Sequence, residues 1–118
     1  MRYLISRREL RLAAAGGALL LFAAAASAQQ TPAAPANQVT IDNFAFVPST
    51  LTVPAGTQVV WINHDEEPHT VTSADGGVTF KSPALDTDDK FTFVFAKSGT
   101  YKYFCSIHRH MVGTIIVK

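Results

Sequence analysis

The one cysteine of the chain, Cys105, stands three residues before His108, and Met111 follows three residues after that. Thiolate, imidazole and thioether are soft-to-borderline donors of the kind that copper favours. Two histidines and a cysteine in a trigonal plane, with a weak axial methionine, form a blue-copper electron-transfer site. The segment from Cys105 to Met111 offers three of those four donors. His69, preceded by Pro68 and lying 36 residues upstream of Cys105, is the best candidate for the fourth. A thiolate donates strongly to Cu(II) and tolerates Cu(I), so such a set serves both oxidation states. Taken singly, these residues have plainer readings, Cys as a small buried hydrophobe and Met as a filler of core gaps. Their joint spacing is what favours a metal. The two remaining histidines, His64 and His110, read as solvated loop residues.

The start of the chain bears on the cysteine. Arg2, Arg7, Arg8 and Arg11 flank an uncharged run from Leu12 to Ala26, and Ala26-Ser27-Ala28 follows. This is the pattern of an export signal over residues 1–28, removed at a small-residue site. Ser6-Arg7-Arg8-Glu9-Leu10 also resembles a twin-arginine motif. The apolar run is short for a bilayer span, so no stable membrane insertion is expected after cleavage, and a bacterial periplasmic location is. A lone cysteine in an exported protein has no internal disulfide partner, which leaves a buried bystander, an intermolecular crosslinker or a functional thiolate, and the neighbouring His108 and Met111 favour the last. The first 28 residues carry four Arg and one Glu; the remainder nets −2. The basic character therefore belongs to the signal, and nothing suggests a nucleic-acid surface.

The elements that must position the donors are strands. Residues 29–38, with Pro32 and Pro35, lack an apolar period and read as a flexible lead-in. From Val39 the period is two: Val39 and Ile41, then Phe44, Phe46 and Pro48, then Leu51 and Val53 before Pro54-Ala55-Gly56. Thr57 to Ile62 is rich in β-branched residues, 63–68 is a polar loop, and His69 to Thr72 is extended up to Asp75-Gly76-Gly77. Phe91, Phe93 and Phe95 alternate; Tyr101, Tyr103 and Cys105 share a strand face; Ile115 and Val117 close the domain. Short strands punctuated by Gly and Pro over residues 39–118 predict one all-β sandwich.

These residues resemble the cupredoxins, and among them most the amicyanins, with pseudoazurin and plastocyanin more distant. The likeness is carried by Phe44-Ala-Phe46-Val-Pro48, Leu51-Thr-Val53-Pro-Ala-Gly56, Val59-Val-Trp61-Ile-Asn63, Pro68-His69-Thr-Val71, Gly99-Thr-Tyr101-Lys-Tyr103-Phe-Cys105, and His108, Met111 and Gly113. The resemblance implies a Greek-key β-sandwich of about eight strands and one type 1 copper ion. It makes His69, Cys105 and His108 the equatorial ligands and Met111 the axial one. It also gives Asn63 the task of tying the two ligand-bearing loops by hydrogen bonds, outside the ligands themselves. The implied function is that of a monomeric carrier cycling Cu(II)/Cu(I) between a protein donor and acceptor that meet the His108 edge.

Two departures from the amicyanin pattern stand out. Ile107 replaces the proline before the second His ligand and keeps an N–H that could point at the Cys105 sulfur, which would raise the reduction potential. Arg109 and His110 replace Pro-Phe after it, making the edge more polar and suiting a partner surface of negative charge. Other functions fit less well. A copper-delivery site would draw on several Met and His residues, whereas only Met111 remains after the signal. An oxidase or nitrite reductase needs a further metal centre with more histidines. A structural zinc would leave Met111 an odd fourth ligand.

Overall fold

In a computed structural model the described residues are 35–118; the export signal expected over 1–28 and the first part of the lead-in lie outside them. The described residues form eight strands and no helix: β1 Gln38–Asp42, β2 Ala45–Val47, β3 Thr50–Val53, β4 Thr57–Asn63, β5 Thr72–Ser73, β6 Lys90–Phe95, β7 Gly99–Phe104 and β8 Val112–Val117. Gln38, assigned by composition to the lead-in, opens β1. It follows a turn in which its N–H donates to the Pro35 carbonyl, while Asn37 bonds the Gln58 carbonyl through its side chain and accepts from the Val60 N–H.

The strands make two four-stranded sheets, β2-β1-β4-β6 and β3-β8-β7-β5. The chain changes sheet at every connection from β2 to β7, and the pairs β1/β4 and β3/β8 run parallel. This is the all-β sandwich expected from the period-two pattern. Val39 and Ile41 of β1, Val59 and Trp61 of β4, and Ile115 and Val117 of β8 all point inward and are buried. Each such side chain contributes roughly 1.5–3 kcal/mol through the water it excludes. Thr40, Val60 and Ile116 between them turn to the opposite face and are only partly buried, because a strand points successive side chains to opposite sides.

Three details differ from the expected strands, and all three sit at one end of the sandwich. Phe44 leaves the alternation: it is 48% exposed and lies in the two-residue turn between β1 and β2. The extended segment after Pro68 is not a strand of the main sheet until Thr72. Instead His69 pairs with Leu85, N–H to carbonyl in both directions, at 3.1 and 2.7 Å. Val71 continues the pairing through Ser82, donating its N–H to the Ser82 hydroxyl and accepting from the Ser82 N–H. Finally, β7 stops at Phe104, so Cys105 is the first residue of the following loop, though it keeps the inward direction of Tyr103 and is fully buried.

At the other side of β5, Asp75 organises the turn that leads into the His69 backing segment. Its carboxylate accepts from the hydroxyls of Ser73 and Thr79 and from the N–H groups of Val78 and Thr79. The Ser73 and Thr79 bonds, aided by the backbone ones, draw its pKa from 3.8 down to about 2 against a smaller opposing effect of burial. A folded value below the unfolded one means that this carboxylate stabilises the fold fully above pH 3.8 and loses that contribution as pH falls towards 2. Asp75→Asn is therefore expected to shallow the acid limb of the stability curve between those limits. Denaturant unfolding at stepped pH is the check, and an unchanged limb would exclude the assignment.

Candidate metal centre

Three segments converge at the end where β4 and β7 finish. The Asn63–Thr72 connection brings His69, the β7–β8 loop brings Cys105 and His108, and the β1–β2 turn brings Phe44. The loop closes on itself through two backbone bonds, Cys105 N–H to the Met111 carbonyl (3.0 Å) and Met111 N–H to the His108 carbonyl (2.9 Å). The three-residue spacings seen in the sequence are therefore one tight, internally bonded turn.

Within it the Cys105 sulfur lies 3.8 Å from His69 Nδ1 and 3.8 Å from His108 Nδ1, and the two nitrogens are 3.2 Å apart. Among the described residues this is the one trio of such side chains with converging donor atoms. The triangle can be tested against metal chemistry. An ion about 2.0 Å from each imidazole nitrogen and about 2.3 Å from a thiolate sulfur satisfies all three distances while lying essentially in the donor plane. Two imidazole nitrogens and a thiolate at this spacing match the donor set of blue copper sites. Met111, on the same loop, is 5% exposed and belongs to the buried core. His64 and His110 are exposed and outside the cluster, as expected of solvated loop residues.

His69 is held from three directions. Leu85 fixes its backbone, and its Nε2 lies 2.7 Å from the Asp65 carboxylate. That contact places the ring hydrogen on Nε2 and leaves the Nδ1 lone pair free towards sulfur and His108. Asp65 also accepts the N–H groups of Asn43 and Phe44, at 2.6 and 2.9 Å. Burial pushes the Asp65 pKa up, but the bonds from Phe44, Asn43 and His69 outweigh it and hold the carboxyl below its usual value. The Phe44 ring meets both imidazoles edge to face, with centroids 5.3 Å from His69 and 5.1 Å from His108.

Asn63 is buried at the end of β4, but its bonds differ from the expected ones. Its amide donates to the carbonyls of Glu67 and Leu85 at 2.9 Å, and its oxygen accepts the Asp65 N–H at 2.9 Å. It thus shapes the Asp65–His69 connection and ties it to the Leu85 segment rather than to the Cys105 loop. Thr70 makes the tie between the two segments. Its N–H donates to the Cys105 sulfur at 3.3 Å, and its hydroxyl accepts the Ser106 N–H at 2.8 Å while meeting the Ser106 hydroxyl at 2.8 Å. The sulfur's backbone donor is therefore Thr70; among the described residues the Ile107 N–H makes no such bond, and the Ile107 side chain is 49% exposed.

Asp65, Thr70 and Phe44 are the residues that sequence reasoning missed. Signals for two of them existed: Asp65 is four residues before a candidate ligand, and Asp42-Asn43 is a turn signature between two strands. Thr70 had none, being an ordinary β-branched residue.

Known proteins resemble this chain in sequence and in fold. The chain is 32% identical over 88 residues to the amicyanin of Paracoccus versutus, covering 72% of this chain and 67% of that one. A purple cupredoxin from Nitrosopumilus maritimus superposes with a TM-score of 0.64 at 38% identity, over 69% of this chain and 98% of that one. A Cu-containing nitrite reductase from Thermus scotoductus also superposes with a TM-score of 0.64, at 32% identity, but across only 22% of its own length and 69% of this chain. The cupredoxin-like domain family matches residues 12–117, a span that runs through His69 and the whole Cys105–Met111 loop. With its eight-stranded sandwich and its His–Cys–His triangle at one end, this chain belongs to the cupredoxin-like family.

Proposed function

We propose that this protein is a soluble type 1 blue-copper electron carrier. The observation that carries the reading is the convergence of His69 Nδ1, Cys105 sulfur and His108 Nδ1 at distances that suit one copper ion. In this reading those three are the equatorial ligands and Met111 is the axial one. Copper supplies the Cu(II)/Cu(I) couple. The protein's part is to keep the donors in one geometry through both oxidation states, which the Thr70 bonds to sulfur and Ser106 and the Asp65 contact to His69 accomplish. Little rearrangement then accompanies each electron, and transfer is fast.

His69 is fully buried, whereas His108 is only half-buried, so electrons pass by the His108 edge. The docking partner is a redox protein. Exposed Arg109 and His110 flank that edge and favour a partner face of negative charge; a transfer rate indifferent to added salt would remove that preference. The match to the nitrite reductase spans about a fifth of that enzyme, and substrate conversion does not come with it. The protein works as a monomer in the bacterial periplasm after removal of residues 1–28.

The test is the visible absorption spectrum of the purified protein, before and after Cu(II), then after a reductant. An intense band that bleaches on reduction is expected from a thiolate–copper site. Weak colour with copper still bound would place Cys105 outside the coordination and overturn the reading.

A further inference from the structure

Phe44 occupies a position that local preference assigns to another residue. Asp42 pairs with Ala45, so Asn43 and Phe44 alone form the loop, and their φ angles are 50° and 58°. A two-residue hairpin loop with both φ positive is a type I′ turn, whose favoured second residue after Asn is glycine. A phenylalanine there carries backbone strain, because its Cβ crowds the following carbonyl. Burial does not compensate, since half of the side chain remains in solvent.

The contacts of the turn indicate what the strain serves. Asp65 holds both turn N–H groups with the carboxylate that also meets His69 Nε2. The Phe44 ring stands at 88° to the His69 ring and at 90° to the His108 ring, meeting both edge to face. His69 is already fixed by Leu85 and Asp65. His108 rides on the loop, and among the described residues its Nε2 has no hydrogen-bond partner. Its lateral supports are the rings of Phe44 and His69.

We propose that Phe44 is a positioning residue: Asp65 holds it in a strained turn so that its ring braces both imidazoles and slows the departure of the bound ion. The inference rests on the copper reading above and adds to it a residue that touches no metal. Its test compares wild type, Phe44→Gly and Phe44→Tyr. Each is loaded with Cu(II) and challenged with excess EDTA, and the melting temperature of each copper-free protein is measured alongside.

Phe44→Gly is expected to release copper roughly tenfold faster, the size of effect that follows from losing two edge-to-face aromatic pairs. Its copper-free form is expected to melt no lower than wild type, because glycine relieves the turn. Phe44→Tyr keeps the ring and is expected to retain copper as wild type does. Release from Phe44→Gly as slow as from wild type would overturn the proposal. So would faster release accompanied by a lower copper-free melting temperature, since the ring would then merely support the fold. A wild-type protein without the thiolate–copper band would instead sink the copper reading itself.

Discussion

Gly113→Ala is expected to lower the melting temperature by on the order of 10–20 °C, corresponding to about 3 kcal/mol of lost stability in a domain of this size. Gly113 and Tyr103 are cross-strand partners in β8 and β7. A Cβ at Gly113 would lie 2.2 Å from Tyr103 Cζ and 2.3 Å from its hydroxyl oxygen. The ring cannot retreat. It is 1% exposed, with its centroid 4.7 Å from that of Phe46 and 5.5 Å from that of Trp61. Relief requires either separating β7 from β8 or turning the phenol out of the core, and both disturb the two strands that launch and receive the Cys105–Met111 loop. Thermal unfolding of Gly113→Ala, Tyr103→Ala and the double variant tests the cause. The close approach predicts that the double variant loses less than the sum of the singles. Tyr103→Phe should not rescue, because Cζ remains. A single-variant loss within a few degrees of wild type would exclude the steric account.

Which features are legible in the sequence and which emerge only in the fold has a physical basis. Period-two burial is local, so Val39/Ile41, Val59/Trp61 and Ile115/Val117 were legible as inward faces without knowledge of their neighbours. The Cys105–His108–Met111 spacing was legible because the loop closes on itself with its own backbone bonds. His69 was found because donor chemistry demanded a fourth residue and Pro68 marked its segment. Residues whose role depends on distant partners carried no such mark. Asp65 stands before Glu66 and Glu67 and looks like one of three solvated acids, yet its side chain is only 11% exposed and faces a turn more than 20 residues upstream. Phe44 continued an apolar alternation that the chain breaks by turning at Asn43. The resemblance gives Asn63 the tie across loops, whereas the tie runs through Thr70, whose N–H donates to the Cys105 sulfur and whose hydroxyl accepts the Ser106 N–H. Backbone donors are invisible in a sequence. For the same reason Ile107, which merely possesses an N–H, was credited with a bond that Thr70 makes.

Asp65→Asn is the substitution outside the proposed ligands with the largest expected effect on the potential of the copper-loaded protein. The carboxylate sits 2.7 Å from His69 Nε2, on the far side of the ring from the donor nitrogen, and its pKa is depressed, so it is charged at neutral pH. A negative charge there favours the higher positive charge of Cu(II) over Cu(I), so removing it should raise the reduction potential. A unit charge about 7 Å away at an effective dielectric of about 20 is worth about 2 kcal/mol, or on the order of 100 mV. The variant also bears a cost in the fold. One amide oxygen cannot replace two carboxylate oxygens that together serve the N–H groups of Asn43 and Phe44 and the His69 ring. With at least one donor unpaired, stability should fall by about 1–3 kcal/mol. Glu66→Gln removes the same charge one residue away, from an exposed side chain, and should move the potential far less because water and salt screen it. Redox titration of both variants separates the cases. Equal shifts would mean that only net charge is sensed; a rise confined to Asp65→Asn would show that the His69 contact itself helps to set the potential.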